Sequence, residues 1–284
     1  MSIAPRVRVR RACLGLALAL LSCVLATPAR AARDLLFAVN EGTSSASDAL
    51  FRRDKYADLA AYLSSAVHRP VKIETSNILP ILVRNVQRQR YDVLLVRPSH
   101  IAARAMRDQG YRLLVAARGE SRVHFIVRRD SPLKSLQDLH GRFTVFPDSL
   151  AYPTALGLAI LRDAGIDPRA ERVQYMNRQE AVGYAVRQGL ADAGVVISYS
   201  RVGRDWEKNG GRLLYTRGKL PYWSIIVSPR VDAAVADQLR AAFLALDKTS
   251  RGKAILGQIG IDGFEPGSQQ AYLDMLTWVE GRRP

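Results

Sequence analysis

The chain has 284 residues, 48% of them hydrophobic, and a formal net charge of +16 from 42 basic against 26 acidic residues. That length and apolar content suit one large or two mid-sized domains and exclude a disordered or fibrous chain. The charge does not mean nucleic acid: zinc-finger spacing, an RNP motif and a basic helix with interleaved aromatics are all missing from the sequence.

Residues 1–31 have the pattern of an export signal. Arg6, Arg8, Arg10 and Arg11 form a positive start, residues 12–26 an apolar run, and Ala29-Arg30-Ala31 a small-x-small cleavage site, so the cut falls after Ala31. The apolar run is shorter than the ~20 residues a membrane-spanning helix needs. Arg10-Arg11 resembles a twin-arginine pair with a poorly fitting sequel, and Leu21-Ser22-Cys23 is a loose lipobox with Leu21 where a small residue is usual. The expectation is therefore soluble export to the periplasm. Removing the five arginines ahead of Ala32 leaves 37 basic residues against 26 acidic, about +11, a basic surface suited to anionic ligands. Cys13 and Cys23 both lie in the signal segment. The exported chain then has neither disulfides nor thiolate metal ligands, and its core alone must hold it together.

In chain order, residues 34–40 read as a buried strand ending in the polar turn 40–45, Asn40 through Ser45. A helix follows with Tyr56, Leu59, Ala60, Leu63 and Val67 on one face. Strands are expected at 71–75, 91–96 and 111–117, and helices at 78–90 and from the turn Arg97-Pro98-Ser99-His100 through Arg107. The run YDVLLV at 91–96 is continuously apolar, as in a sheet covered on both faces. The strand–helix alternation implies a parallel-rich sheet.

The pattern then restarts. Strands are expected at 123–129, 142–146, 173–176, 193–197, 213–216 and 222–227. A short amphipathic turn of helix is expected at 132–139, and helices from Pro153 to Ile166, from 177 to 190, at 199–208, 231–246, 252–259 and 268–279. Leu158, Leu161 and Ile166 carry the apolar face of the helix at Pro153, and Val182, Ala185, Val186 and Leu190 that of the helix at 177, which Asn177 and Glu180 start as a capping box. Two α/β runs followed by helices suggest two lobes joined by two crossings, near 119–125 and 217–224. The corresponding division is a signal peptide at 1–31, lobe 1 at 32–119, lobe 2 at 120–221, and a return to lobe 1 with C-terminal helices at 222–284.

The segment 141–166 is the most suggestive for function. It reads as strand, hydroxyl-bearing turn (Asp148-Ser149) and a helix with Pro153 at its start, where proline's missing N–H costs nothing. The free N–H groups and dipole of such a helix start favour an anion. Ligands of open α/β sheets sit beyond the carboxyl ends of strands, which places the loops 40–45, 97–100, 147–154 and 177–179 around one cleft.

Three stretches carry a resemblance: RYDVLLVRPSHIAARAMRDQGYRLLVAARG (90–119), SRVHFIVRRDSPLKSLQDLHGRFTVF (121–146) and QEAVGYAVRQGLADAGVV (179–196). With Gly165-Ile166 and GIDGFEP at 260–266, they resemble the phosphate/phosphonate-binding periplasmic components of ABC importers, over nearly the whole exported chain. The resemblance implies an α/β, two-lobed type II periplasmic binding fold. It also implies a small oxyanion as ligand, of phosphate, phosphite or phosphonate type, and an inner-membrane ABC permease as partner. The chain departs from the family's phosphonate binders in having Leu150-Ala151-Tyr152-Pro153 where they carry Ser-Thr-Ser-Gly, and Asn177-Arg178-Gln179 where they carry a histidine. Ser198-Tyr199-Ser200 stands where an aminophosphonate binder places a carboxylate for the ligand's amine.

The candidate ligand-binding residues are therefore Asn40, Thr43, Arg97, Ser99, Ser149, Tyr152, Thr154 and Arg178. Arg97 beside a helix start can pair with an oxyanion. Nothing marks an enzyme: G-x-S-x-G, Walker and Rossmann glycine patterns are missing, and His68, His100, His124 and His140 have no metal spacing. The expectation is a monomeric binding protein without cofactor or metal. An orphan binding module that reports ligand occupancy to a sensor or redox partner is the alternative.

Overall fold

The computed structural model describes residues 33–42, 54–75 and 78–281. The signal segment, both cysteines, Thr43 and the rest of the turn at 43–45 lie outside the described residues. The first α/β run is β1 (Leu35–Asn40), α1 (Ala57–Ala66), β2 (Val71–Thr75), α2 (Leu79–Gln87), β3 (Val93–Val96), α3 (Ser99–Gln109) and β4 (Arg112–Ala117). The second is β5 (Ser121–Arg128), β6 (Thr144–Phe146), α4 (Tyr152–Asp163), β7 (Val173–Tyr175), α5 (Gln179–Arg187), β8 (Ala193–Ile197), α6 (Arg201–Asp205) and β9 (Gly211–Leu220). The chain ends in β10 (Ser224–Val227), α7 (Ala233–Ala245), α8 (Ser250–Ile259), β11 (Phe264–Glu265) and α9 (Gln269–Val279).

These strands form two sheets, in the orders β11-β4-β10-β3-β1-β2 and β7-β6-β8-β5-β9. The protein is thus a two-lobed α/β fold. Its chain passes between the sheets twice, at 118–120 and at 221–223. The pairs β1–β2, β1–β3, β6–β7 and β6–β8 are parallel, as the alternation implies. Both sheets are mixed all the same: β10 runs antiparallel between β3 and β4, and β5 antiparallel to β8 and β9. A strand arriving straight from the other lobe has no crossover helix to turn it round, so it enters its sheet from the opposite end.

The pleat decides which core each side chain joins. Leu35, Phe37 and Val39 of β1 pack with α1, α7 and α8, while Ala38, Leu94 and Val96 pack on the other face with α2 and α3. That second core runs on without a break into lobe 2, through Val123, Phe125, Leu156 and Ile160, with Tyr272, Met275 and Leu276 of α9. A separate small core under α5 holds Ile126, Val182, Val186 and Trp206. Gly194 on β8 admits α5 this closely: a Cβ there would lie 2.6 Å from Val182 Cγ1 and 2.9 Å from Val186 Cγ2. The C-terminal helix ties the lobes together. Arg162 of α4 donates to the carbonyls of Trp278 (2.7 Å) and Val279 (3.2 Å), and the Trp278 indole donates to Asp163 at 2.6 Å.

Several sequence expectations need correction. The capping box at Asn177 and Glu180 does not form: α5 starts at Gln179, with Arg178 at the cap position and no side-chain cap bond. The reason is Gln179 itself, which is buried and accepts the Ile197 N–H at 2.8 Å, drawing the helix start inward. Leu190 lies beyond the end of α5 and is exposed. Leu158 is only half-buried, and Leu156 and Ile160 fill the core beside Leu161 instead. The helix expected at 199–208 is only Arg201–Asp205, capped by the Ser200 hydroxyl on the Gly203 N–H (3.0 Å). The short turn of helix expected at 132–139 is present as a 3-10 turn, Gln137–Leu139.

Candidate functional site

Three helices begin where the lobes face each other, and no side chain caps any of them. The α3 start follows β3 of the first sheet, and the α4 and α5 starts follow β6 and β7 of the second. Pro98 and Ala151, which carry no side-chain acceptor, occupy the cap positions of α3 and α4, so the first-turn N–H groups there are left without one. Between them lies a cavity of about 10 Å³ lined by Gly42, Pro98, Ala151, Tyr152, Pro153, Gln179 and Tyr199. That volume is about the room of one water molecule. A larger groove of about 650 Å³ runs along both crossings and α9. The helix start that opens on it is capped by the Ser268 hydroxyl, unlike those of α3, α4 and α5.

The expected site residues fall into three groups. Asn40, Arg97, Ser99, Tyr152 and Thr154 are gathered at the lobe junction, with Asn40, Ser99, Tyr152 and Thr154 fully buried. Ser149 and Arg178 are exposed. Thr43 is outside the described residues.

Each gathered side chain has work in the fold. Asn40 Oδ1 accepts the Gly42 N–H at 2.9 Å and shapes the turn after β1, in which Gly42 takes the left-handed φ of +67° that favours glycine. The Ser99 hydroxyl donates to the Tyr222 carbonyl at 2.8 Å, and the Tyr152 hydroxyl to the Pro221 carbonyl at 3.1 Å. Ser121 and Tyr272 reach the same two carbonyls, at 3.2 and 3.0 Å. The Thr154 hydroxyl donates to Pro147 at 3.4 Å. Tyr152 of lobe 2 also stacks on His100 of lobe 1, ring centroids 5.7 Å apart and 10° from parallel. Burial pushes the His100 imidazole down to about 3, with the Arg104 charge adding to the effect, so it is neutral at physiological pH.

Arg97 is held on both sides. Its guanidinium lies 3.9 Å from the Trp223 ring centroid, and its Nη2 is 3.5 Å from Glu41 Oε1. Glu41 is the residue the sequence reading missed: it is 1% exposed and also accepts from Lys55 Nζ and the Tyr56 hydroxyl, both at 2.7 Å. Burial pushes this carboxyl up, but Arg97, Lys55 and Tyr56 outweigh it and hold it below its ordinary value. The cleft therefore does contain an acid, one already matched by cations. A second feature missed was the aromatic cluster. Tyr222 stacks on Trp223 at 4.3 Å, and Tyr199 stands edge-on to both. Arg118, by contrast, pairs with Asp247 at 2.6 Å on the surface. Among the described residues, no group of His, Cys, Asp or Glu could hold a metal ion.

Two α/β lobes, two crossings and uncapped helix starts facing across a cleft define a type II binding protein. Residues 46–272 match the family described as ABC transporter, phosphonate, periplasmic substrate-binding protein, and the chain belongs to it. No curated protein sequence matches the chain. Among solved structures it is similar to XAC2383 from Xanthomonas citri bound to ATP, with a TM-score of 0.74 and 18% identity over 87% of this chain and 97% of that one. PhnD1 from Prochlorococcus marinus in complex with methylphosphonate gives 0.71 and 14% over 87% and 97%. The binding component of an ABC phosphonate transporter, PA3383 from Pseudomonas aeruginosa, gives 0.67 and 13% over 86% and 85%. At these identities the structures share the fold. No helix among the described residues is long and apolar enough to cross a membrane.

Proposed function

We propose that the exported chain is a periplasmic solute-binding protein that closes its lobes on a small oxyanion of phosphate, phosphite or phosphonate type. It delivers that ligand, as a monomer, to an inner-membrane ABC permease. The observation that carries this reading is the convergence of the uncapped starts of α3 and α4 on one cavity between the lobes, with Arg97 one residue ahead of its lining residue Pro98. A buried anion is costly unless donors replace its hydration. Backbone N–H groups at Ser99, His100, Tyr152 and Thr154 supply donors at the helix starts, while the Ser99, Tyr152 and Thr154 hydroxyls stay on the crossing and loop carbonyls.

The cavity has room for about one water as it stands. Admitting a tetrahedral oxyanion requires the lobes to part and close again, and the crossings at 118–120 and 221–223 are the hinge that allows this. A thermal-shift screen of the exported protein against phosphate, phosphite, methylphosphonate, sulfate and carboxylates tests the reading. A ligand at a hundred times its dissociation constant stabilises by ~2.7 kcal/mol. A rise confined to carboxylates, or none with any oxyanion, refutes it.

A further inference from the structure

The chain has three tryptophans, and their indole N–H groups are treated differently. Trp206 donates to the carbonyls of Val127 and Arg212, at 3.1 and 3.2 Å, and Trp278 donates to Asp163 at 2.6 Å. Trp223 is 5% exposed, and its N–H has no hydrogen-bond partner. Buried indoles usually find one. The ring itself is fully used, by Tyr222 on one face and the Arg97 guanidinium at 3.9 Å. The edge is what remains. It faces the Tyr199 hydroxyl without closing a hydrogen bond of ordinary geometry, and Tyr199 lines the inter-lobe cavity.

We propose that the Trp223 indole N–H, with the Tyr199 hydroxyl beside it, is a donor pair that receives one oxygen of the bound anion. This inference rests on the proposed function, since it assigns donors to the same cleft. The three groups come from three parts of the fold. Arg97 follows β3 of lobe 1, Tyr199 follows β8 of lobe 2, and Trp223 sits in the second crossing. An anion taken here touches both lobes and the hinge at once, which makes closure and binding one event. The chemistry also narrows the ligand. An indole can only donate, so the ligand atom it meets must be an acceptor, and the Arg97 charge disfavours an ammonium group at that end of the ligand. Burial pushes the Tyr199 hydroxyl's pKa well up and keeps it protonated, so it donates throughout the physiological range.

Trp223→Phe separates the edge from the face. It keeps a ring for Arg97 and Tyr222 to stack on and removes the N–H, together with part of the indole's volume. Calorimetric titrations with inorganic phosphate and with methylphosphonate should show a ~10- to 150-fold loss of affinity, as expected for a hydrogen bond to a charged group. Tryptophan emission should respond to ligand in the wild type and in Trp278→Phe, and stop responding in Trp223→Phe. Tyr199→Phe, at a half-exposed position, should lose affinity severalfold and carries the test if Trp223→Phe melts early. Wild-type affinity in both variants, or an emission change that survives in Trp223→Phe, overturns the assignment. If the wild type binds neither probe, the proposed function fails and this inference falls with it. If the wild type binds a probe and both variants bind it equally tightly, the function stands and the donor pair is wrong.

Discussion

Replacing Arg97 by Ala probes the site at the point where charge, stacking and the second crossing meet. The side chain is 12% exposed and lies 3.9 Å over the Trp223 ring. A desolvated cation–π contact of that kind contributes about 2 kcal/mol. The ion pair adds less than its burial suggests, because Glu41 keeps two donors at 2.7 Å, Lys55 and Tyr56, after Arg97 is gone. The expected stability loss is therefore about 2 kcal/mol, which lowers Tm by roughly 4–8 °C in a protein of this size. Binding should suffer separately: a charge-assisted hydrogen bond to the anion is worth ~1.5–3 kcal/mol, so its removal raises Kd ~10- to 150-fold. Arg118→Ala is the control. Its partner Asp247 and its own exposed position put it outside the cleft, so affinity should change less than about twofold, with only some change in salt dependence. Arg97→Lys should fall between the two, since it keeps the charge but not the planar fork. The assay is calorimetric titration with methylphosphonate and with phosphate, at a temperature where melting curves show every variant folded. Equal losses for Arg97→Ala and Arg118→Ala, or wild-type affinity in Arg97→Ala, would refute the placement of the site.

Processing after Ala31 should leave a chain beginning at Ala32; the intact mass of the exported protein checks this, and a lipid adduct on Cys23 would contradict it. Gly194→Ala should destabilise by about 1–3 kcal/mol through overpacking, because its Cβ would meet Val182 and Val186 at 2.6 and 2.9 Å; an unchanged denaturant midpoint would show that α5 can shift away. Stability should also fall with pH before the carboxylates titrate. Burial holds His100 at about 3 and His124 at about 4 in the folded state, against ~6.5 unfolded. The unfolded chain therefore binds more protons in that window, and stability is complete above about pH 6.5 and lost as pH falls below it. Between pH 6.5 and 4.5 one such histidine accounts for about 2–3 kcal/mol. His100→Phe, which keeps a ring against Tyr152, should flatten that slope in thermal melts; an identical slope would mean that the imidazole is not held neutral.

The fold was legible because its strands are continuous apolar runs bounded by turns. VLLV at β3 and AGVVI at β8 are short enough and β-branched enough to read as covered strands, and their alternation with helices implies the lobes. Helix ends were less legible, since they answer to tertiary partners. Asn177 and Glu180 have the spacing of a capping box, yet the buried bond from Ile197 to Gln179 sets the start of α5 instead. Leu190 fits the helical period, but the helix stops at Arg187, ahead of it. In the site, Glu41 was hidden inside a polar turn. Its importance comes from Lys55 and Arg97, 14 and 56 residues away, and no local pattern announces such a pairing. The Trp223 edge had one usable signal, a lone aromatic pair Tyr222-Trp223 at the start of a strand that crosses between lobes.

On the proposed function, ligand and hinge would be coupled through the hydroxyls at the lobe junction. Hydroxyls in loops at strand ends look like ligand donors from sequence, because serine, threonine and tyrosine can donate. In the structure those of Ser99, Ser121, Tyr152 and Tyr272 converge instead on two adjacent carbonyls, Pro221 and Tyr222, in the second crossing. Two of these residues belong to the first sheet's lobe, one follows the first crossing and one belongs to the second lobe. The crossing is thereby fixed relative to both helix starts that face the cavity. Trp223 is the next residue along, and its ring carries Arg97. A movement of the crossing must therefore carry along the N–H groups of α3 and α4, the Arg97 charge and the Trp223 edge together. Parting the lobes would strain or break the Tyr152 bond to Pro221 and the Tyr152–His100 stack, which span the junction. On the proposed function those contacts set the cost of opening, which the anion's charge-assisted bonds offset on closure around a widened cavity.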